Sequence, residues 1–211
     1  MQFKKWLENW ADLDTKAEEF FGRKNINKGM DFNQVLKSLK LKPFKGQPKV
    51  IGEGSTATVY ENPHNPRQAI KVTGDKQDAG NFNKILKKGL KHPCIVHCYN
   101  VAQLNNQAYS LLLDRIEGQV FAYGSMFTHL VQGDDFEEPA EAAQSILYEL
   151  DSTRRQVFER VGMQDSQEER QKLSSLFDGM AKLERIGIHV FDTDENIIDA
   201  GDRYVLIDIG R

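Results

Sequence analysis

The 211-residue chain has no apolar run approaching the roughly 18–20 residues that cross a bilayer. Its first residues also lack the apolar stretch of a secretory signal. Neither a membrane span nor export is therefore expected. Only two cysteines occur, Cys94 and Cys98 in "HPCIVHC". On an alternating strand, positions four apart share a face but sit too far apart to be bridged. A disulfide framework is excluded, and a reducing, cytoplasmic compartment fits best. Charge of one sign is scarce too: the formal net charge is −3, which points to neither nucleic acid nor an anionic membrane surface. Repeats and low-complexity tracts are absent. What remains, 39% apolar and 28% charged residues, is ordinary for a globular protein with one substantial core or two small lobes.

The charges are unevenly placed. Residues 22–50 carry Arg23, Lys24, Lys28, Lys37, Lys40, Lys42, Lys45 and Lys49 against Asp31 alone, whereas Asp134–Glu141 is acidic. Both suit solvated faces, and the basic segment also suits a docking surface for a protein partner. In residues 1–24, Phe3, Trp6, Leu7, Trp10, Ala17, Phe20 and Phe21 fall mostly on one helical stripe. Asp31 can cap a second helix over 32–40, with Val35, Leu36 and Leu39 inward. "KPFKGQP" reads as a linker, so 1–48 is expected to be a helical extension.

From Lys49 the pattern changes to short strands: "KVIGEG", "TATVYEN" and "QAIKVT", then a helix over 76–91, then a hairpin of "CIVHCYNVAQL" and "AYSLLLDRI". After "EGQ" the chain turns helical, with one or two helices in Glu138–Val161 and a clear one over Ser166–Arg185. Ser166 and Glu169 there form a capping box, and Leu173, Leu176, Phe177, Met180, Ala181 and Leu183 form the buried stripe. "ENIID" and "YVLID" close the chain as two short strands.

Alone, "GEGSTATV" over Gly52–Val59 is a weak signal: Gly-x-Gly with Ala57 in third place, small residues that let backbone N–H groups approach an anion. Lys71 in "AIK" follows on the third strand, where its ammonium can pair with phosphate oxygens. "LKHPCIV", "LLLDRIEG", "GIHVFDTDENII" and "LIDIG" come next. An Asn and an Asp on a loop and a strand end offer hard oxygen ligands for Mg²⁺.

In this order the motifs over residues 49–211 resemble the protein-kinase-like superfamily, as a minimal or degenerate member. "GEGSTA" is similar to the compact kinase effectors secreted by enteric pathogens, and a phage or bacterial-effector setting suits the chain's size. The resemblance implies an α+β, bilobal fold: an antiparallel β N-lobe over 49–117 and a truncated, mainly helical C-lobe over 118–211. It implies ATP and Mg²⁺ as cofactors. Gly52, Gly54, Ser55 and Ala57 would cover the phosphates, with Val59 and Ala69 beside the nucleotide and Lys71 on the phosphates. Leu113, Asp114, Arg115 and Ile116 would form the hinge whose backbone reaches adenine. Asn196 and Asp208 would ligate Mg²⁺.

Three departures stand against this. The helix position that should supply a Glu to pair with Lys71 falls on Asn83, with Asp78 a turn or more away as a substitute. His189 and Asn196 keep the family's spacing, but Phe191 occupies the place of the catalytic Asp, and Asp192, the working candidate for the base, lies one residue late; Asp194 is a weaker one. Asp208-Ile209-Gly210 is followed by Arg211 alone, so no activation segment or peptide platform is expected. The leading expectation is an ATP-dependent phosphotransferase acting on a protein or small-molecule hydroxyl. Its rival is a pseudokinase, a binding scaffold or ATP-gated switch. The intact Lys71, Asn196 and Asp208 favour catalysis. A helical adaptor without nucleotide affinity is a third reading. A zinc site in "HPCIVHC" is not expected, because His97 would face away from both cysteines.

Overall fold

A computed structural model of the protein describes residues 30–54, 56–121, 158, 163–190 and 196–209. The helix expected over 1–24 lies outside them, as do all but Phe158 of the helices expected in 138–161.

Helix α1 (Phe32–Ser38) begins where Asp31 accepts a hydrogen bond from the Asn33 N–H at 2.9 Å. Four strands of the first sheet then follow the sequence pattern closely: β1 (Val50–Glu53), β2 (Ala57–Glu61), β3 (Gln68–Thr73) and, after the hairpin turn, β5 (Ala108–Asp114). Helix α2 (Lys76–Lys88) connects β3 to β4 (Cys98–Asn105). All neighbours are antiparallel, in the order β1-β2-β3-β5-β4. Further on come β6 (Gln119–Val120), α3 (Gln167–Arg185), β7 (Ile197–Asp199) and β8 (Tyr204–Leu206), the three strands forming a second antiparallel sheet. The α+β class and the antiparallel sheet are as expected. No helix among the described residues is long and apolar enough to cross a membrane.

Alternation along β3 divides the molecule. Ile70 and Val72 point to one face, where Val35, Leu36 and Leu39 of the α1 segment bury them together with Leu112. The outer face of the sheet is thus sealed by residues 30–45, and this segment is built in. Asn33 brackets Phe44 with two hydrogen bonds of 2.8 and 3.2 Å, and Ser38 and Ser110 share one of 2.8 Å. The helix closes with Lys40 in the left-handed region, φ 62°, and the Leu41 N–H donating to Leu36 O at 2.8 Å. A side chain there costs about 1 kcal/mol. Lys40→Gly is expected to raise stability by about 0.5–1 kcal/mol, which a urea unfolding curve reads as a higher midpoint.

The other face of the sheet carries Lys71 and a larger core. That core joins Phe82 and Ile85 of α2, Leu111 and Leu113 of β5, Leu173, Leu176, Phe177, Met180 and Leu183 of α3, and Ile197, Val205 and Leu206 of the second sheet. One apolar cluster therefore runs through both parts of the chain. The α3 cap forms as one half of the expected box: Ser166 Oγ accepts from the Glu169 N–H at 3.1 Å. The reciprocal bond is not made, because the Ser166 N–H donates to Gln164 O and the Glu169 carboxylate is taken by Lys172 and the Tyr204 hydroxyl.

"HPCIVHC" departs from the expected strand. β4 starts only at Cys98, while Cys94, Ile95 and Val96 are all buried and stitch the first half to β8: Leu206 N–H donates to Cys94 O, and Val96 N–H to Leu206 O, each at 2.9 Å. An alternating strand would have exposed one of the three. Both thiols are buried and free, and burial pushes that of Cys98 up to about 12. No group of His, Cys, Asp or Glu among the described residues forms a metal-binding cluster.

His92 locks this stretch to α3. Its Nδ1 accepts from the Cys94 N–H at 3.2 Å, which leaves Nε2–H to donate to Asp178 at 3.1 Å. The ring is therefore neutral, and a second proton would fall on the accepting Nδ1. Burial and the nearby Lys182 hold its pKa below the imidazole value, against the opposing pull of Asp178. The unfolded chain then binds more protons between the folded pKa and the ordinary value of about 6.5, so this contribution is lost as pH falls through that window. Melting temperatures of wild type and His92→Gln at pH 7.5 and 5.5 are expected to show the difference between them narrowing on acidification.

Candidate functional site

In the antiparallel register, Val59 and Leu111 lie directly opposite Lys71, Ala57 opposite Thr73, and Leu113 opposite Ala69. Directly paired residues share a face. Ala57, Val59, Ala69, Lys71 and Leu113 thus all look out from the side of the sheet that meets α2 and the end of β8. Gly52 pairs with Val59 beside a register shift in β1, and the Gly54 N–H closes the hairpin on Ala57 O at 2.9 Å. Neither glycine has a left-handed backbone. A Cβ at Gly52 would meet Val59 at an ordinary 3.6 Å, and one at Gly54 only a carbonyl at 3.9 Å. The fold does not require glycine at either place. Ser55 lies outside the described residues.

Lys71 sits at the centre of a three-charge cluster. Its Nζ is 2.7 Å from Asp208 Oδ2, to which it donates, and 2.9 Å from Asp78 Oδ2. The Lys71 and Asp78 side chains are 5% and 2% exposed, whereas Asp208 is 33% exposed. The Asp78 contact is an ion pair by distance, but neither carboxylate oxygen has hydrogen-bond geometry to any donor. Burial works against the charge of Lys71, and the two carboxylates outweigh it, so its pKa lies above the usual lysine value. Burial, helped by Asp208, pushes Asp78 up to about 7 against the pull of Lys71.

Asp78 thus stands where the sequence pattern had pointed to Asn83. Asp75 caps α2 by accepting from the N–H groups of Gln77 and Asp78, so the helix starts at Lys76 and Asp78 falls in its first turn. Asp78, Phe82 and Ile85 are its buried face. Asn83 is five residues on, about 140° round the helix from Asp78, and is exposed. The Gly74-Asp75 cap was the available sequence signal. The buried phase of α2 is set from its start, which puts Asp78 and not Asn83 on the inner face.

Asn196 immediately precedes β7, and its carbonyl accepts from the Ile207 N–H at 2.9 Å. The β7–β8 pairing therefore brings Asn196 beside the residue preceding Asp208. Phe191, Asp192 and Asp194 lie outside the described residues; His189 is exposed.

At the hinge, β5 ends at Asp114. The Asp114 N–H donates to His97 O and the Arg115 N–H to Arg67 O, each at 2.9 Å. Arg115 also reaches Glu61 at 2.7 Å through Nη1, and Tyr99 donates to Asp114 at 2.6 Å. Two of the backbone donors expected to reach a base are thus committed within the protein, because the β2–β3 connection and the residue preceding β4 lie against this segment.

The donor set fits a phosphate group and a hard cation in kind. An ammonium has three N–H donors, and Lys71 directs one of them in a hydrogen bond to Asp208. Asp208 is partly open to solvent, and Asn196 adds a second oxygen donor. Mg²⁺ commonly takes one or two protein ligands and completes its shell with phosphate oxygens and water.

No protein-family model matches the chain, and no curated protein matches it. Among solved structures, Rad53 1–466 in complex with AMP-PNP is similar at 18% identity and a TM-score of 0.40, over 77% of this chain. The chain spans 37% of the length of that one.

Proposed function

We propose that the protein is an ATP- and Mg²⁺-binding, protein-kinase-like phosphotransferase, bilobal, with its nucleotide site between the parts spanning 49–117 and 118–211. The observation that carries this reading is the buried Lys71, held by Asp78 and Asp208 and paired across the sheet with Val59. An ammonium placed by two carboxylates is a fixed point charge for phosphate oxygens, and a preorganised charge is what phosphoryl transfer needs most. Gly52 and Gly54 admit phosphates to the hairpin backbone. Ala57, Val59, Ala69 and Leu113 supply a small apolar surface for a base, whose edge would be met by backbone at Leu113–Ile116 other than the two committed N–H groups. Asn196 and Asp208 would hold Mg²⁺, which supplies charge neutralisation between the phosphates. Asp192 is the proposed base for the acceptor hydroxyl. Phe191 in the family's base position favours one alternative, a nucleotide-gated scaffold without transfer.

Thermal melting with ATP, with and without Mg²⁺, tests the site. Ligand binding to the native state raises the melting temperature by mass action. Wild type is expected to show a Mg²⁺-dependent rise that Asp208→Ala removes, and no rise with ATP under either condition would sink the nucleotide reading. Transfer of labelled phosphate by wild type and not by Asp192→Asn would then separate enzyme from scaffold.

A further inference from the structure

Helix α2 touches the rest of the site by more than Asp78. Asn81, one turn on, donates from Nδ2 to Ile209 O at 2.6 Å, across 128 residues of sequence. Lys84, one turn further, donates from Nζ to Gly187 O at 3.0 Å. Residues 78, 81 and 84 make one polar stripe beside the apolar stripe of Phe82 and Ile85. Each contact lands on backbone next to a functional element. Ile209 follows Asp208 directly. Gly187 ends α3 in the left-handed region, φ 69°, and opens the stretch leading to His189 and Asn196.

We propose that Asn81 is a positioning residue for the nucleotide site, acting through the backbone of Ile209, with Lys84 as a second anchor of the same helix. This rests on the nucleotide reading above. The Ile209 side chain is fully buried in the core, and its carbonyl is held by Asn81. With both fixed, the chain leaving Asp208 has one direction, and so has the carboxylate that meets Lys71. Asn81 and Lys84 thus tie α2 to the backbone beside Asp208 and to the end of α3. The assembled arrangement of Lys71, Asp78 and Asp208 is supplied by side chains of the protein itself, with no added charge needed to draw α2 inward.

Asparagine suits this role because its amide offers a donor on a short, stiff side chain; leucine has nearly the same shape and no donor. The test measures ATP dissociation constants with and without Mg²⁺ for wild type, Asn81→Leu and Asn81→Gln. Asn81→Leu is expected to weaken Mg²⁺–ATP binding about tenfold, the worth of one well-made hydrogen bond, while Mg²⁺-free ATP binding stays near wild type. Asn81→Gln, which keeps the donor, is expected to recover most of the loss. A general loss of structure would lower both affinities together, so the ratio of the two identifies positioning. Should Asn81→Leu fail to fold, Asn81→Ser removes the reach without adding apolar surface and is read the same way. Wild type that binds Mg²⁺–ATP no better than a donor-less variant overturns the role of Asn81 alone. Wild type that binds no ATP overturns the nucleotide reading and this role with it.

Discussion

Lys71→Met is expected to lower the unfolding free energy by about 3–5 kcal/mol at pH 8, the cost of removing one partner from a buried ion pair. The same substitution is expected to cost much less at pH 5. The reason lies with Asp78. In the folded protein its pKa is already pushed up to about 7, against an ordinary value of 3.8. The folded state therefore binds a proton that the unfolded chain releases, and stability falls as pH rises through that window. Without Lys71 the carboxylate loses the nearby cation and its folded pKa rises further, so the gap between variant and wild type widens with pH. At pH 5 Asp78 is protonated in both proteins. What the variant then lacks is chiefly the pair with Asp208, which is one-third exposed and can be solvated. Urea unfolding at the two pH values checks this. Equal losses at pH 5 and pH 8 would mean that Asp78 does not titrate as a buried group.

Phe82→Ala is expected to cost about 3–5 kcal/mol, the range for deleting a fully buried aromatic side chain. Phe82 is 0% exposed and belongs to the cluster shared by α2, β5, α3 and the second sheet. The consequence for the site follows from the composition of α2. Its sequence, KQDAGNFNKILKK, includes a glycine and two asparagines, each a poor helix former by about 0.5–1 kcal/mol relative to alanine. Local propensity does not hold this helix; the burial of Ala79, Phe82 and Ile85 does. Truncating Phe82 should therefore loosen the segment that carries Asp78 and Asn81. Hydrogen exchange along 76–88 is expected to rise well above that along β5, which keeps both sheet partners. Uniform exchange across both would show that α2 does not depend on Phe82.

Much of this architecture was legible in the sequence because it is written in local patterns. The strands around Lys71, the start of α1 at Asp31 and the span of α3 follow from alternation, capping and helical period, each decided within a few residues. So was the order of the glycine hairpin, Lys71, Asn196 and Asp208. What the sequence left open was the phase of α2: the Asp75 cap marks where the helix starts, but the choice between Asp78 and Asn83 depends on which face the core buries. Nor could it show that Cys94, Ile95 and Val96 leave the first sheet to pair with β8; an apolar run of that length is equally a strand of either sheet until its partner, Leu206, is known. The polar ties of Asn81 to Ile209 and Lys84 to Gly187 are of the same kind. Local chemistry determined which residues are available to the site. Packing of one shared core, which sums contacts distant in the chain, decided which of them meet.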